Sequence, residues 1–259
     1  MITILGGTDV GLVRKTNQDK YEYKVLGELL CYGVLCDGMG GTDSGHIASQ
    51  TATDFVTQTL ERDLKPGMSE ASIKGIMMSA AAGANALVFE AASQNPDCAG
   101  MGTTLVVAVL SGENVYISSV GDSRAYYLNG TGHQQLTKDH TVVQMLLDVG
   151  EISPEEAAEH PKRHFITRAV GVLPQVDADF IEHPFGPGDI LLLCSDGFYN
   201  CVGEDNMVGP ALLAHLEESV RAGNVDNLIE LAKSVGGGSD NITAVLIRRE
   251  AQEPGEEGA

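Results

Sequence analysis

Thr103 to Leu136, TTLVVAVLSGENVYISSVGDSRAYYLNGTGHQQL, is the stretch that decides the fold. Thr103–Leu110 and Asn114–Val120 are apolar, β-branched runs too short for ordinary helices, and Ser111-Gly112-Glu113 between them reads as a hairpin turn. Arg124–Leu128 follows, then Asn129-Gly130, a pair that tolerates the positive φ of a tight hairpin, then His133–Leu136. Strands so close in sequence pair antiparallel, because parallel neighbours need a crossover of a dozen or more residues.

Two helices precede this meander. Ile47, Ala48, Thr51, Phe55, Val56 and Leu60 fall at helical spacing, with Asp43 or Ser44 as cap and Pro66-Gly67 as the stop. Ser69 caps a second, Ala-rich helix from about Glu70 to Ser93, which Asn95-Pro96 ends. Long helices followed by a meander imply antiparallel sheets with helices outside them, not a doubly wound parallel sheet. Ile2–Leu5 reads as an edge strand, with further strands at Tyr21–Val25, Leu29–Cys36, Val176–His183, Asp189–Cys194 and Ile242–Arg248. Helices are expected at Thr141–Val149, after Ser153-Pro154 as far as His160-Pro161, at Asp205–Arg221 and at Val225–Val235. The polar segment from about His140 to His164 reads as an insert lying over a site. Glu250–Ala259 is acidic with Pro and Gly, and is expected to be disordered.

The chemistry lies at the ends of the apolar runs. Leu29–Gly41 reads LLCYGVLCDGMGG, so Asp37 stands where the strand runs out, beside glycines that let backbone approach a ligand. Alone, this is as well read as a strand and an ordinary Asp-Gly turn. The pattern recurs, however: Ile190–Cys194 ends in Ser195-Asp196-Gly197, and Gly236–Ser239 leads through Asp240-Asn241 into the last strand. Three carboxylates converging on one rim repel one another and need cations to stay ionised together. Oxygen ligands without a His or Cys cluster suit magnesium or manganese, not zinc.

Composition narrows the class. A formal charge of −20 excludes the basic footprint of a nucleic-acid binder and disfavours an anionic membrane surface. The five cysteines are scattered without a CxxC, so they form neither a disulfide framework nor a zinc site, and a reducing, cytoplasmic setting is inferred. The N-terminal stretch has no basic leader with an apolar core, and no apolar run approaches membrane-spanning length. None of the cysteines has an Arg six positions on, which excludes the cysteine-phosphatase pattern.

The motifs, in order, are Asp9-x-Gly11-x-x-Arg14-x-x-Asn17-Gln18-Asp19, Asp37-Gly38-Met39-Gly40-Gly41, Gly102-Thr103-Thr104, Gly121-Asp122-Ser123-Arg124, Leu136-Thr137-Lys138-Asp139-His140, Thr167-Arg168-Ala169-Val170-Gly171, Ser195-Asp196-Gly197 and Gly238-Ser239-Asp240-Asn241-Ile242-Thr243. Together they resemble the metal-dependent protein phosphatases of type 2C in their bacterial form, from about residue 4 to residue 248. The resemblance implies an α+β, four-layer αββα sandwich: two antiparallel sheets with helices on both outer faces and a small flap. It implies a catalytic domain over 1–249 with the flap at about 140–164, followed by the tail at 250–259. It also implies two manganese or magnesium ions. Asp37 would bridge both, the Gly38 carbonyl would bind one, and Asp196 and Asp240 the other. Asp19 would support the centre mostly through water, and Asp122 with Asp196 would hold a weaker third ion. Arg14 would grip the substrate phosphate while a water or hydroxide bridging the metals attacks phosphorus. The implied substrates are serine- and threonine-phosphorylated proteins, and a cognate bacterial Ser/Thr kinase and a monomeric state are expected.

Two positions depart from eukaryotic members. Met39 stands where they often carry a His that could donate a proton, so a metal-bound water is the candidate donor. Gln18 replaces a Glu, leaving one carboxylate fewer. Blander roles stand beside the sharp ones. Asp122 could cap a turn and bond Arg124, Asp139 could cap the helix starting at Thr141, and Arg14 could be a surface ion-pair residue. His140 is read as orienting the flap, and His46, His160 and His164 as exposed or locally bonded. Ser123, Ser195 and Asn241 are read as shaping hydrogen bonds behind the ligands. The competing function is a regulatory phosphoprotein-binding module with little turnover, which such folds reach by losing metal aspartates that are all present here. A nuclease or small-molecule phosphoesterase would use the same chemistry, but the charge opposes polyanionic substrates.

Overall fold

A computed structural model describes residues 1–41, 44–129, 132–203 and 210–250. Strands buried on both faces read as unbroken apolar runs, and their two-residue side-chain period sends alternate residues to different layers. In β3 (Leu30–Met39), Cys31 and Leu35 face one way, and Tyr32, Val34 and Cys36 the other. In β10 (Ile190–Cys194), Leu191 and Leu193 oppose Ile190, Leu192 and Cys194. Three apolar layers result, one between the sheets and one beneath the helices on each outer face.

The remaining strands are β1 (Ile2–Asp9), β2 (Asp19–Gly27), β4 (Gly102–Thr103), β5 (Leu105–Ser111), β6 (Asn114–Val120), β7 (Arg124–Asn129), β8 (Gly132–Gln135), β9 (Asp179–Pro184) and β11 (Ile242–Arg249). One sheet runs β1-β11-β10-β7-β8, and the other runs β2-β3-β5-β6-β9 with β4 paired to β3. All these pairings are antiparallel, and β1 is an edge as expected. Helices α1 (Ser44–Asp63) and α2 (Glu70–Gln94) cover the second sheet. Helices α5 (Asp196–Val202), α6 (Pro210–Ala222) and α7 (Asp226–Gly236) cover the first. Between β8 and β9 lie α3 (Val142–Asp148) and α4 (Pro154–Glu159), which form the flap.

Several local expectations hold. Ser69 caps α2, and Ser153 with Glu156 forms a reciprocal capping box on α4. Others are corrected. β3 runs on through Asp37 to Met39, because Gly38 and Met39 pair with Thr103 and Gly102. Asp37 therefore lies within the strand. The apolar run at 103–110 is interrupted at Thr104, whose amide bonds the Asp37 carbonyl. Val176–Ala178 precede β9 instead of joining it, and α5 has no counterpart in the expectations. Thr141, not Asp139, caps α3, its hydroxyl accepting from the Gln144 amide at 3.2 Å. Helix α2 is long and apolar enough to cross a membrane, against expectation. Its Ile73, Met77, Ala80, Ala84 and Val88 are buried in the core against α1 and the sheet. The Asp43 cap, Gly130 of the β7–β8 turn, residues 204–209 and the tail at 251–259 lie outside the described residues.

Strand register gathers the site at one end of the sandwich. Cys194 faces both Ala244 and Arg124, and Asp9 faces Ile242. The residues just past β10, just before β11 and β7, and just after β1 therefore share a rim. In the other sheet Leu35 faces Val106, and Leu105 faces Val120, so the ends of β3 and β6 reach the same rim.

Candidate active site

Asp37 is fixed by its backbone. Its amide donates to the Thr104 hydroxyl at 2.8 Å, and its carbonyl accepts from the Thr104 amide at 2.8 Å and the Thr103 hydroxyl at 2.9 Å. Two neighbouring glycines permit the packing. A Cβ on Gly38 would stand 2.1 Å from the Gly45 carbonyl oxygen, and one on Gly197 would stand 2.0 Å from that of Asn241. Asp196 opens α5, and the Ser195 hydroxyl accepts from the Thr243 amide at 3.1 Å, joining the ends of β10 and β11.

Arg14 sits on the β1–β2 loop, which Asn241 clips at both ends. The Asn241 Oδ1 accepts from the Gln18 amide at 2.8 Å, and its Nδ2 donates to the carbonyls of Val10 at 3.1 Å and Thr16 at 3.0 Å. The Leu12 amide adds a bond to the Gly238 carbonyl at 2.7 Å. Exposed Arg14 then reaches Asp240, Nη2 to Oδ2 at 2.7 Å.

Arg14, Asp37, Gly38, Asp122, Asp196 and Asp240 all line one cavity of about 800 Å³. Asp19 does not. It faces Asp37 across the β2–β3 ladder, buried behind the cavity wall. The Arg124 guanidinium, a possible partner of Asp122 in the sequence, forks onto Asp139. Ser123 pairs its hydroxyl with that of Thr104 at 2.7 Å, and Asn241 bonds the Arg14 loop.

The carboxylates strain one another electrostatically. Burial, then Asp19 and Asp196, raise Asp37 well above the usual carboxylate range. Burial, then Asp240, raise Asp196, while the Asp37 side chain and His164 oppose them. Asp122 is pushed up to about 8 by burial and then by Asp196. Asp19 is pushed up to about 7, chiefly by burial, although the Thr243 hydroxyl donates to its Oδ2 at 2.6 Å. Among the described residues its buried Oδ1 has no hydrogen-bond partner. A bound cation would relieve this repulsion and satisfy such oxygens.

Among the described residues no three acidic, His or Cys side chains close on one point, and Asp240 is turned onto Arg14. The donor set is nonetheless that of a hard divalent cation: several carboxylates and a glycine-flanked backbone, with no thiol and, among the described lining residues, a single imidazole, that of His164. The five cysteines are buried and none lines the cavity, with the Cys31 and Cys36 thiols pushed up to about 12 by burial. They are inert.

Arg163 and His164, at the end of the flap, also line the cavity. Arg163 carries no expected role, and His164, expected to be exposed or locally bonded, is exposed and faces this cavity. Their signal was an adjacent basic pair in an acidic chain. Met39 lines the cavity too, at the position where a proton donor is absent.

The chain matches the protein phosphatase 2C family over residues 13–233, and it belongs to that family. It is 34% identical over 260 residues to a serine/threonine phosphatase of Listeria innocua, covering 97% of this chain and 98% of that protein. Among solved structures it resembles the Mycobacterium tuberculosis serine/threonine phosphatase PstP, with a TM-score of 0.80 and 34% identity over 96% of this chain and 99% of the other. It also resembles the catalytic domain of PstP in complex with two manganese ions, with a TM-score of 0.77 and 33% identity over 96% of this chain and 99% of the other. The two antiparallel sheets between helical layers are thus the family fold.

Proposed function

We propose that this chain removes phosphate from phosphoserine and phosphothreonine in proteins, using two manganese or magnesium ions and a weaker third. The observation that carries the reading is the crowded acidic wall with Arg14 at its rim. Asp37, the Gly38 carbonyl, Asp196 and Asp240 would hold the pair of ions, Asp19 would support them from behind, and Asp122 with Asp196 would hold the third. Bound there, divalent cations lower the pKa of a ligated water and neutralise phosphate charge. No serine or cysteine nucleophile is required.

Arg14 is the group that changes partner. Bonded to Asp240 in the structure, it is free for phosphate once Asp240 has another counter-charge. Its planar fork matches two phosphate oxygens. Arg14→Ala should therefore lower kcat/KM by about 10- to 100-fold, mostly through KM, as expected for a lost charged hydrogen bond of about 1.5–3 kcal/mol. Steady-state kinetics on a phosphothreonine peptide measure this, and an unchanged KM would remove Arg14 from the phosphate site.

The buried, unbridged cysteines support a cytoplasmic setting, and a cognate Ser/Thr kinase and a monomeric state complete the reading. The test is phosphate release from a phosphothreonine peptide with manganese and with chelator. Release only with manganese is expected. A folded, manganese-binding protein that releases nothing would favour the phosphoprotein-binding module instead.

A further inference from the structure

Asp122 lies in the short turn Gly121–Ser123 between β6 and β7, where the chain crosses from one sheet to the other. Asp122 lines both the candidate catalytic cavity and a second cavity of about 600 Å³ beneath the flap. What fixes this turn is buried His140. The Gly121 amide donates to His140 Nδ1 at 3.0 Å, and the His140 amide donates to the Gly121 carbonyl at 2.9 Å. Ring and backbone thus clasp one residue from both sides.

The tautomer follows from the donors. An amide can only donate, so Nδ1 accepts and the ring proton is on Nε2. Nε2 lies 3.2 Å from Asp179 Oδ2, its acceptor; Arg168 Nη1 also lies 3.0 Å from Nε2, but its two hydrogens go to Asp179 Oδ1 at 2.9 Å and the Asp177 carbonyl at 2.9 Å. Burial, then the Arg168 charge, lower the His140 pKa, and Asp179 and Asp139 oppose them. The same residue also closes the stem of the flap. The Thr167 amide donates to the His140 carbonyl at 2.7 Å, and Thr141 pairs with Ile166.

We propose that His140 is a positioning residue, which holds the Gly121–Asp122 turn so that Asp122 can serve as a cation ligand and ties that turn to the stem of the flap. The inference rests on the assignment of Asp122 to a cation made above. Partners behind a metal ligand typically contribute 10- to 100-fold in affinity, which sets the scale.

The test is calorimetric titration of manganese into the full chain, with each variant's fold checked by thermal melting. Asp122→Ala defines the binding that depends on Asp122. His140→Ala should weaken that same component by about tenfold or more, and the double variant should bind no worse than Asp122→Ala alone. His140→Asn should restore affinity to within a few-fold, because its Oδ1 can replace Nδ1 as the acceptor, whereas His140→Gln should not. Should His140→Ala fail to fold, the Asn and Gln variants decide. Equal affinities in those two, or losses that simply add in the double variant, would overturn the inference. A full loss in Asp122→Ala with none in His140→Ala would overturn it while leaving the cation assignment standing. Unchanged binding in Asp122→Ala would remove both.

Discussion

Asp196→Asn should leave the protein folded and reduce turnover by about three orders of magnitude or more, about 4 kcal/mol of barrier. Asn keeps the shape of the side chain and removes the charge that a hard cation requires. Asp196 stands at the start of α5, on the same cavity wall as Asp37 and Asp240. It has the further property of being disfavoured as a charge by burial and by Asp240. Its neutralisation therefore costs the cation-free fold nothing electrostatic, and urea unfolding in chelator should show stability equal to or above wild type. Manganese should stabilise the wild type through preferential binding to the native state, about 2.7 kcal/mol at a hundredfold excess over Kd. That increment should shrink in the variant. Asp37→Asn should behave likewise. Loss of turnover, loss of the manganese increment and retained cation-free stability form one signature of a ligand. Near-normal turnover of Asp196→Asn in manganese would break the assignment of the site.

The apolar runs were legible because strands buried on both faces leave no polar period to confuse them, as in Ile190–Cys194 and Leu105–Ser111. Asp37, Asp196 and Asp240 were legible because an acid beside glycine at the edge of such a run has few bland explanations. What escaped depended on partners distant in sequence. The extension of β3 past Asp37 needs the two-residue strand β4, some sixty residues on, and no local pattern announces it. Helix α5 is only seven residues long and begins at an Asp-Gly pair that equally suggests a turn. The sequence reading offers Arg124 the acid two residues away, Asp122, whereas packing gives it Asp139, fifteen residues on. Asp19 was placed in the right motif, but its position behind the wall follows from the β2–β3 register.

That choice of partner yields the largest stability effect expected here. Asp139→Ala should destabilise the fold by about 3–5 kcal/mol, the scale for breaking a buried ion pair from one side. Arg124 Nε lies 3.0 and 3.1 Å from the two Asp139 oxygens and Nη2 lies 2.7 Å from Oδ2, a fork on a carboxylate. Nη1 donates to the Tyr126 hydroxyl at 2.8 Å, and the guanidinium stacks 3.8 Å over the Tyr199 ring. Both charged side chains are 10% exposed. Burial opposes the Arg124 charge and Asp139 outweighs it, so removing Asp139 takes the forked carboxylate away from a buried cation that does not shed its proton. Replacing both partners removes both buried charges together, so Arg124→Met/Asp139→Leu should return to near wild-type stability or exceed it. Urea unfolding in chelator checks both variants, and a single variant within about 1 kcal/mol of wild type would refute the effect. The pair also has a place in the site. Asp139 precedes His140, and Arg124 follows Asp122 by two residues. A stable double variant with weakened manganese binding would therefore mean that the ion pair serves chiefly to set the chain between β8 and the flap against the turn that carries Asp122.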